Sequence, residues 1–469
     1  MRKLLLLLVI VVIALGVILF QSSSHKPSPP VSSGNVHSYE LNNGLKVLVV
    51  ENKRAPVVVS QVWYKVGSSY EPDGITGISH VLEHMMFKGT PKHPAGEFSR
   101  IIAANGGREN AFTSKDYTAY FQMISNKHLA LCLELEADRM RNLSLNKADF
   151  VKELQVVKEE RRMRTEDVPT ALTYERFNAQ FYTNNPYHHP IIGWVEDLNS
   201  LTIKDVRAWY KTWYAPNNAT LVVVGDVKPN NVFELARKYF GGLKPSVIPE
   251  LKPRHEVKQL GTQRVTVKVP AKVPYLIMGY KVPVLKTAKN PSDAYALEVL
   301  AGLLDGGNSA RLEKNLVRGR EIATSVGVSY DLYARQESGF VLSAVPANQV
   351  ATDVLEAAFK QQIHDIEQTP PDRKELDRVI AQVIASNVYQ QDSNFYQAMQ
   401  MGMLETVGLG WRKKQEYVAG VRAVTPEQVQ AVAKKYFVDN DLTVAVLDPL
   451  PTDKNTVVRD MPLGVQNER

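Results

Sequence analysis

A repeat at domain length constrains this chain more than any other feature. Thr202-Ile203-Lys204-Asp205-Val206 opens a segment running to Trp213-Tyr214, followed by Asn217-Asn218 and the apolar run Leu221–Val224. A matching segment begins 223 residues later at Thr425 and runs to Phe437, followed by Asn440-Asp441 and Leu442–Leu447. Each copy reads as a helix with a threonine N-cap, a polar turn and a buried strand. Repetition over such a distance means duplication of a whole domain, not a solenoid. Pro245, Pro249 and Pro253 mark the boundary between the copies. The expected division is therefore residues 36–245 and 259–469, joined by a Pro-rich linker at 246–258. Both halves mix helix and strand signals, which places the chain in the α+β class. Past its first 35 residues the chain keeps about 430, enough for two sizeable cores.

Those first 35 residues have a different character. Arg2 and Lys3 precede Leu4–Phe20, an unbroken apolar run of 17 residues, and Gln21–Gly34 is Ser/Pro-rich. The run reads as a signal peptide or membrane anchor, followed by a flexible tether. Basic residues on its amino-terminal side direct the remainder out of the cytoplasm. The expected location is the periplasm, either anchored in the inner membrane or released after cleavage. Cys132 is the only cysteine. That excludes an internal disulfide and any zinc site built of thiolates. Between Leu131 and Leu133 it reads as a buried free thiol on a helix. The net charge of +7 suits anionic membrane surfaces or acidic peptides. It is not accompanied by a nucleic-acid-binding module, so nucleic acid is not expected as a partner.

The chemistry is concentrated at His80-Val81-Leu82-Glu83-His84. Residues four apart share one face of a helix, so both imidazoles can reach one metal ion. Glu83 then stands beside that ion as a carboxylate that is not a ligand. The H-x-x-E-H order is the inverzincin signature. Pro72-Asp73-Gly74 predicts a turn before the helix and Gly89 predicts its end, giving about three turns. A catalytic zinc needs a third protein ligand and an open position. The segment 149–162 is a strong helix former, with Val156 and Val157 as apolar anchors. Glu153 and Glu160 in it are seven apart and lie nearly on one face. Glu159 points about 100° away from Glu160, and spacing alone does not choose between them.

Together these motifs resemble the pitrilysin/insulinase family of zinc metallopeptidases, in the short branch that includes mitochondrial processing peptidases and their bacterial relatives. The resemblance covers nearly all of the chain after residue 36. It implies that His80, His84 and Glu160 bind one zinc ion, that Glu83 is the general base, and that Glu153 assists. Gly106-Gly107-Arg108-Glu109-Asn110-Ala111-Phe112-Thr113 is similar to the family's G-G-x-x-N-A-x-T edge strand. Asn110, Ala111, Phe112 and Thr113 would accordingly hold an extended peptide by main-chain hydrogen bonds. The implied fold is two homologous α/β-sandwich-type domains closing over a chamber. The implied activity is zinc-dependent endopeptidase action on extended peptides.

One family feature is missing. An Arg and a Tyr seven apart grip substrate near the metal in many members. Here the matching stretch Leu316–Val326 has Val317 and Thr324 at those positions, with Arg318 and Arg320 out of register. This implies a heterodimer in which a metal-free homologous subunit supplies the Arg/Tyr pair. The alternatives are a peptidase active without a partner and a non-catalytic assembly or binding subunit of a larger complex. Three other features are set aside. His188 and His189 are adjacent, and adjacent side chains diverge on regular structure. Arg161, Arg162 and Arg164 read as a solvated helix face. Gly306-Gly307 lacks the spacing of a phosphate loop.

Overall fold

The computed structural model describes residues 31–33, 35–452 and 458–459. Leu4–Phe20 and most of the tether lie outside the described residues. Among the described residues, no helix is long and apolar enough to cross a membrane.

Two sheets organise the chain. The first has seven strands: β1 (Val31–Ser33), β2 (Val36–Glu40), β3 (Lys46–Glu51), β4 (Val57–Tyr64), β5 (Arg108–Thr113), β6 (Thr118–Ser125) and β7 (Ala219–Gly225). Their spatial order is β1-β2-β3-β7-β4-β6-β5. The second has β8 (Gln263–Pro270), β9 (Tyr275–Val282), β10 (Ala323–Ser329), β11 (Ser338–Pro346) and β12 (Leu442–Leu450), ordered β10-β11-β9-β12-β8. Without its first two strands the first sheet reads β5-β6-β4-β7-β3, the same path as the second. Each path ends in one parallel pair, β3 with β7 and β8 with β12. The duplication expected from the sequence is therefore present in the topology. The two threonine caps are present as well. Thr202 forms a capping box with Asp205, and Thr425 forms one with Gln428.

Both faces of the first sheet are covered. Val47, Val49, Val58, Val62 and Val223 face one core, while Leu48, Val50, Val59, Trp63 and Val224 face another. This follows from the strand period of two, and explains why Leu221–Val224 is apolar throughout. The helix that covers the second face comes from the other half of the chain. Ala398 and Met401 of the helix Asn394–Thr406 pack on Trp63, Val222 and Val224. The exchange is mutual. Phe177 and Phe181, on the helix Pro169–Phe181, pack on Ile277, Val341 and Ala445 of the second sheet. Each half lends one helix to its counterpart, so the halves share buried apolar surface and do not merely touch.

Cys132 is buried in the helix Leu129–Asn142, as expected, and burial pushes its thiol up to about 12.

Candidate metal centre

The helix Ile78–Met85 carries His80, Glu83 and His84. It is two α-helical turns long, shorter than expected, and a 3-10 turn, Met86–Lys88, continues it to Gly89. Its start is fixed by a close approach of two turns. Gly77 and Gly193 both have positive φ, 85° and 88°. A Cβ on Gly77 would lie 2.5 Å from the Ile192 carbonyl oxygen, and one on Gly193 would lie 2.4 Å from that of Thr76. Only glycine allows the backbones this close. Buried Glu71 then accepts from the Gly77 and Ser79 amides at 2.7 and 2.8 Å, satisfying donors at the helix start.

Opposite runs the helix Lys147–Arg161, capped by Asn146, which accepts from the Asp149 amide. Phe150, Leu154, Val157 and Arg161 form its buried stripe. Val156, an expected anchor, instead points outward and is 49% exposed. It lies about 100° around the helix from Val157. That rotation brings Glu160 to the histidines. Its Oε2 lies 3.4 Å from His84 Nε2 and 3.8 Å from His80 Nε2. Glu153 approaches the other side of the ring, 3.4 Å from His84 Nδ1, and Lys88 Nζ lies 2.6 Å from its second oxygen. Glu159 is exposed and paired with Arg162. The choice that spacing left open between Glu159 and Glu160 is thus made by the packing of the two helices.

The electrostatics suit a divalent cation. Burial holds the His80 imidazole down at about 4, so it is neutral and free to ligate. Hydrogen bonding to His84 holds Glu160 at about 2, against the opposing effect of burial. Burial would lower His84, but Glu160, Glu83 and Glu153 together raise it, and a cation would take the place of that proton. Two imidazoles and one carboxylate, with ligand atoms within 4.8 Å of one another, are a zinc donor set. Glu83 is half-buried beside them and accepts from the Thr113 hydroxyl. Burial pushes its carboxyl up to about 7, with Thr113 and His84 opposing. A carboxyl poised near neutrality suits a proton shuttle.

Thr113 ends β5, which pairs only with β6 and is an edge of the sheet. The four strand residues differ in surroundings. Thr113 is buried against Glu83, and Ala111 packs toward the first core. Phe112 turns to the opposite face, its ring 5.4 Å from that of Trp63. Asn110 is exposed, and its side chain accepts from the Ala111 amide.

Residues 46–194 match the model of insulinase, peptidase family M16, and residues 200–383 match that of the peptidase M16 inactive domain. The chain is 38% identical to the zinc protease PqqE of Helicobacter pylori, over 73% of this chain and 77% of that protein. It belongs to peptidase family M16. An uncharacterized zinc protease of Bacillus subtilis, YmxG, is 27% identical over 88% of this chain and 98% of its own length. The crystal structure of a protease from Helicobacter pylori superposes with a TM-score of 0.83 at 32% identity, covering 90% of this chain and all of that one. The periplasmic protease PqqL of Escherichia coli shares the fold, with a TM-score of 0.73 at 16% identity. This chain spans 52% of its length.

Around this M16 site, two basic residues have roles that the sequence reading assigned to solvent. Arg161 is buried, donating to both oxygens of Glu175 and to the Gly193 carbonyl. It ties the Glu160 helix to the exchanged helix Pro169–Phe181. Arg164 NH1 lies 2.8 Å from Glu160 Oε1. Arg162 and Arg164 keep the expected solvated face, 42% and 61% exposed, and only Arg161 is withdrawn from it. Glu71 was also missed, because an acidic residue before a turn carries no distinguishing signal. In the second half, Thr324 is exposed on edge strand β10, and Val317 ends the π-helical turn Glu313–Val317.

Proposed function

We propose that this M16 chain is a zinc-dependent endopeptidase. The observation that carries the reading is the convergence of His80 Nε2, His84 Nε2 and Glu160 Oε2, with Glu83 half-buried alongside and tied to an edge strand. His80, His84 and Glu160 would hold one catalytic zinc. When bound, the metal supplies a Lewis acid and a water of lowered pKa. Glu83 would act as the general base, taking up a proton at its carboxylate and releasing it to the leaving amine of the peptide. Glu153 and Lys88 orient His84. Arg164 holds the free oxygen of Glu160. β5 offers the unpaired main-chain edge along which an extended peptide adds as a further strand, with Asn110–Thr113 as its register.

A metal-free homologous subunit is proposed to complete the site with Arg and Tyr, because Val317 and Thr324 stand where this chain would carry them. The basic and apolar residues 2–20 support a periplasmic body, anchored or released. The two sheets support the division at 36–245 and 259–469, although the exchanged helices cross it. A purely structural role is less well supported, since every donor of the metal site is in place.

Cleavage of a quenched peptide library by wild type and by Glu83→Gln, with and without co-purified homologues, tests the reading. Turnover by the wild type that rises on adding a partner is expected. Full turnover by this chain alone would remove the partner from the proposal. No turnover in a zinc-loaded complex would remove the enzyme.

A further inference from the structure

A second convergence of ligand atoms lies outside the catalytic helix pair. His189 Nε2 stands 2.8 Å from Asp73 Oδ1, and His188 Nε2 stands 4.0 Å from the same oxygen. All three ligand atoms lie within 4.8 Å of one another. His188 and His189 were set aside because adjacent side chains diverge on regular structure. Here they do not. His188 ends the 3-10 turn Pro186–His188 and His189 follows in extended conformation. This change of backbone brings the ring centroids to 4.2 Å.

The opposite edges of the rings matter as much. His188 Nδ1 contacts the Asn185 carbonyl oxygen at 2.8 Å, and His189 Nδ1 faces the Ser68 carbonyl at 3.4 Å. A carbonyl only accepts, so His188, 2.8 Å from the Asn185 carbonyl, carries its proton on Nδ1 and presents a lone pair at Nε2. Between His189 Nε2 and Asp73 Oδ1, 2.8 Å apart, stands either a proton or a cation, and a cation would also engage the lone pair of His188. Orientation of an imidazole by a carbonyl on its far nitrogen is the usual support of a metal-ligating histidine. The edges of 2.8 and 4.0 Å bracket the roughly 3.3 Å expected between ligands of a tetrahedral N/O zinc site.

We propose that Asp73, His188 and His189 form a second divalent-cation site, of the N/N/O type suited to zinc. The site is at the surface. Asp73 is largely exposed while His189 is buried, so water completes the coordination. Arg254 favours anionic Asp73 and neutral His188, the ligand forms of both, at a cost in repulsion toward the cation. Asp73 belongs to the turn that enters the His80 helix, and His188-His189 belongs to the segment that ends in Gly193. A cation here would clamp these two turns together beside the Gly77–Gly193 contact. Its role is structural, holding the entry of the catalytic helix, and it does not depend on the peptidase reading.

The test is zinc content of the untagged full chain in detergent after loading with zinc and dialysis against metal-free buffer. Two equivalents are expected for wild type. One is expected for Asp73→Asn, for His188→Ala and for Glu160→Gln, and none for Asp73→Asn combined with Glu160→Gln. Asp73 and His188 are accessible enough for their variants to fold, which circular dichroism checks. A single equivalent in wild type that Asp73→Asn leaves unchanged would overturn the proposal. So would two equivalents that Asp73→Asn and His188→Ala both retain. Loss of both equivalents in Glu160→Gln alone would show that no independent second site exists.

Discussion

Glu153 Oε2 lies 3.4 Å from Nδ1 of His84, on the edge of the ring opposite Glu160. The two glutamates, one heptad apart on a single helix, therefore grip the same imidazole from both sides. One faces the metal position and the other fixes the ring.

This division of labour predicts the behaviour of Glu153→Gln. An amide still hydrogen-bonds the ring but no longer carries the charge that raises the ring's basicity. Zinc affinity at the His80/His84/Glu160 site should fall by about 10- to 100-fold, without loss of folding. Competition with a chromophoric chelator measures it. An unchanged affinity would assign Glu153 to Lys88 alone.

Glu83→Gln should retain zinc and lose turnover by roughly 10²- to 10⁴-fold, the range of a general base. Metal analysis and peptide cleavage on the same sample separate the two effects. Retained cleavage would mean that another group moves the proton.

The exchanged helix makes a sharper prediction than any surface site. Gly402 lies within the helix Asn394–Thr406, where alanine is ordinarily favoured by about 1 kcal/mol. A Cβ there would come within 2.2 Å of the Trp63 indole. Trp63 is 1% exposed and its Nε1 donates to Gln61 at 2.9 Å, so it has little freedom to yield. Overpacking of roughly 1–3 kcal/mol should prevail over propensity. Gly402→Ala is therefore expected to lower the denaturation midpoint. A raised midpoint would show that the two halves are less tightly joined than their packing indicates.

Stability should also depend on pH through Glu298, half-buried on the helix Pro291–Asp305 of the second half. Burial pushes this carboxyl from an ordinary 4.5 up to about 7, while a hydrogen bond from the Tyr417 hydroxyl opposes. The folded state then holds a proton that the unfolded state has lost. Its contribution is fully present below about pH 4.5 and is lost as pH rises through 7, a swing on the order of 3 kcal/mol. Glu298→Gln keeps the acceptor for Tyr417 and removes the titration. Its thermal midpoint should fall less between pH 5 and pH 8 than that of the wild type. Parallel profiles would show that Glu298 ionises freely in the folded protein.

Much of the site was legible because it depends on local periodicity. His80, Glu83 and His84 need only one helix to share a face, and Glu153 with Glu160 needs only a heptad. The repeat was legible for a related reason. Thr202 and Thr425 are caps, and a cap is a local hydrogen bond between a side chain and a nearby amide. Val156 and Arg161 were misjudged because which face of a charged helix turns inward is set by its neighbours. His188 and His189 were judged by the geometry of regular structure, which a 3-10 turn does not follow.

The sequence by itself determined the duplication, the helix bearing H-x-x-E-H, the buried strands and the lone buried thiol, since each follows from spacing, capping and hydrophobic period. Only the tertiary structure decided how the Glu160 helix is turned toward the histidines, that each half lends a helix to the other's sheet, and that Asp73 meets His188 and His189. These pairings lie between 76 and 342 residues apart or depend on rotation about a helix axis. No local rule encodes them, because they are fixed by which apolar faces can be buried together.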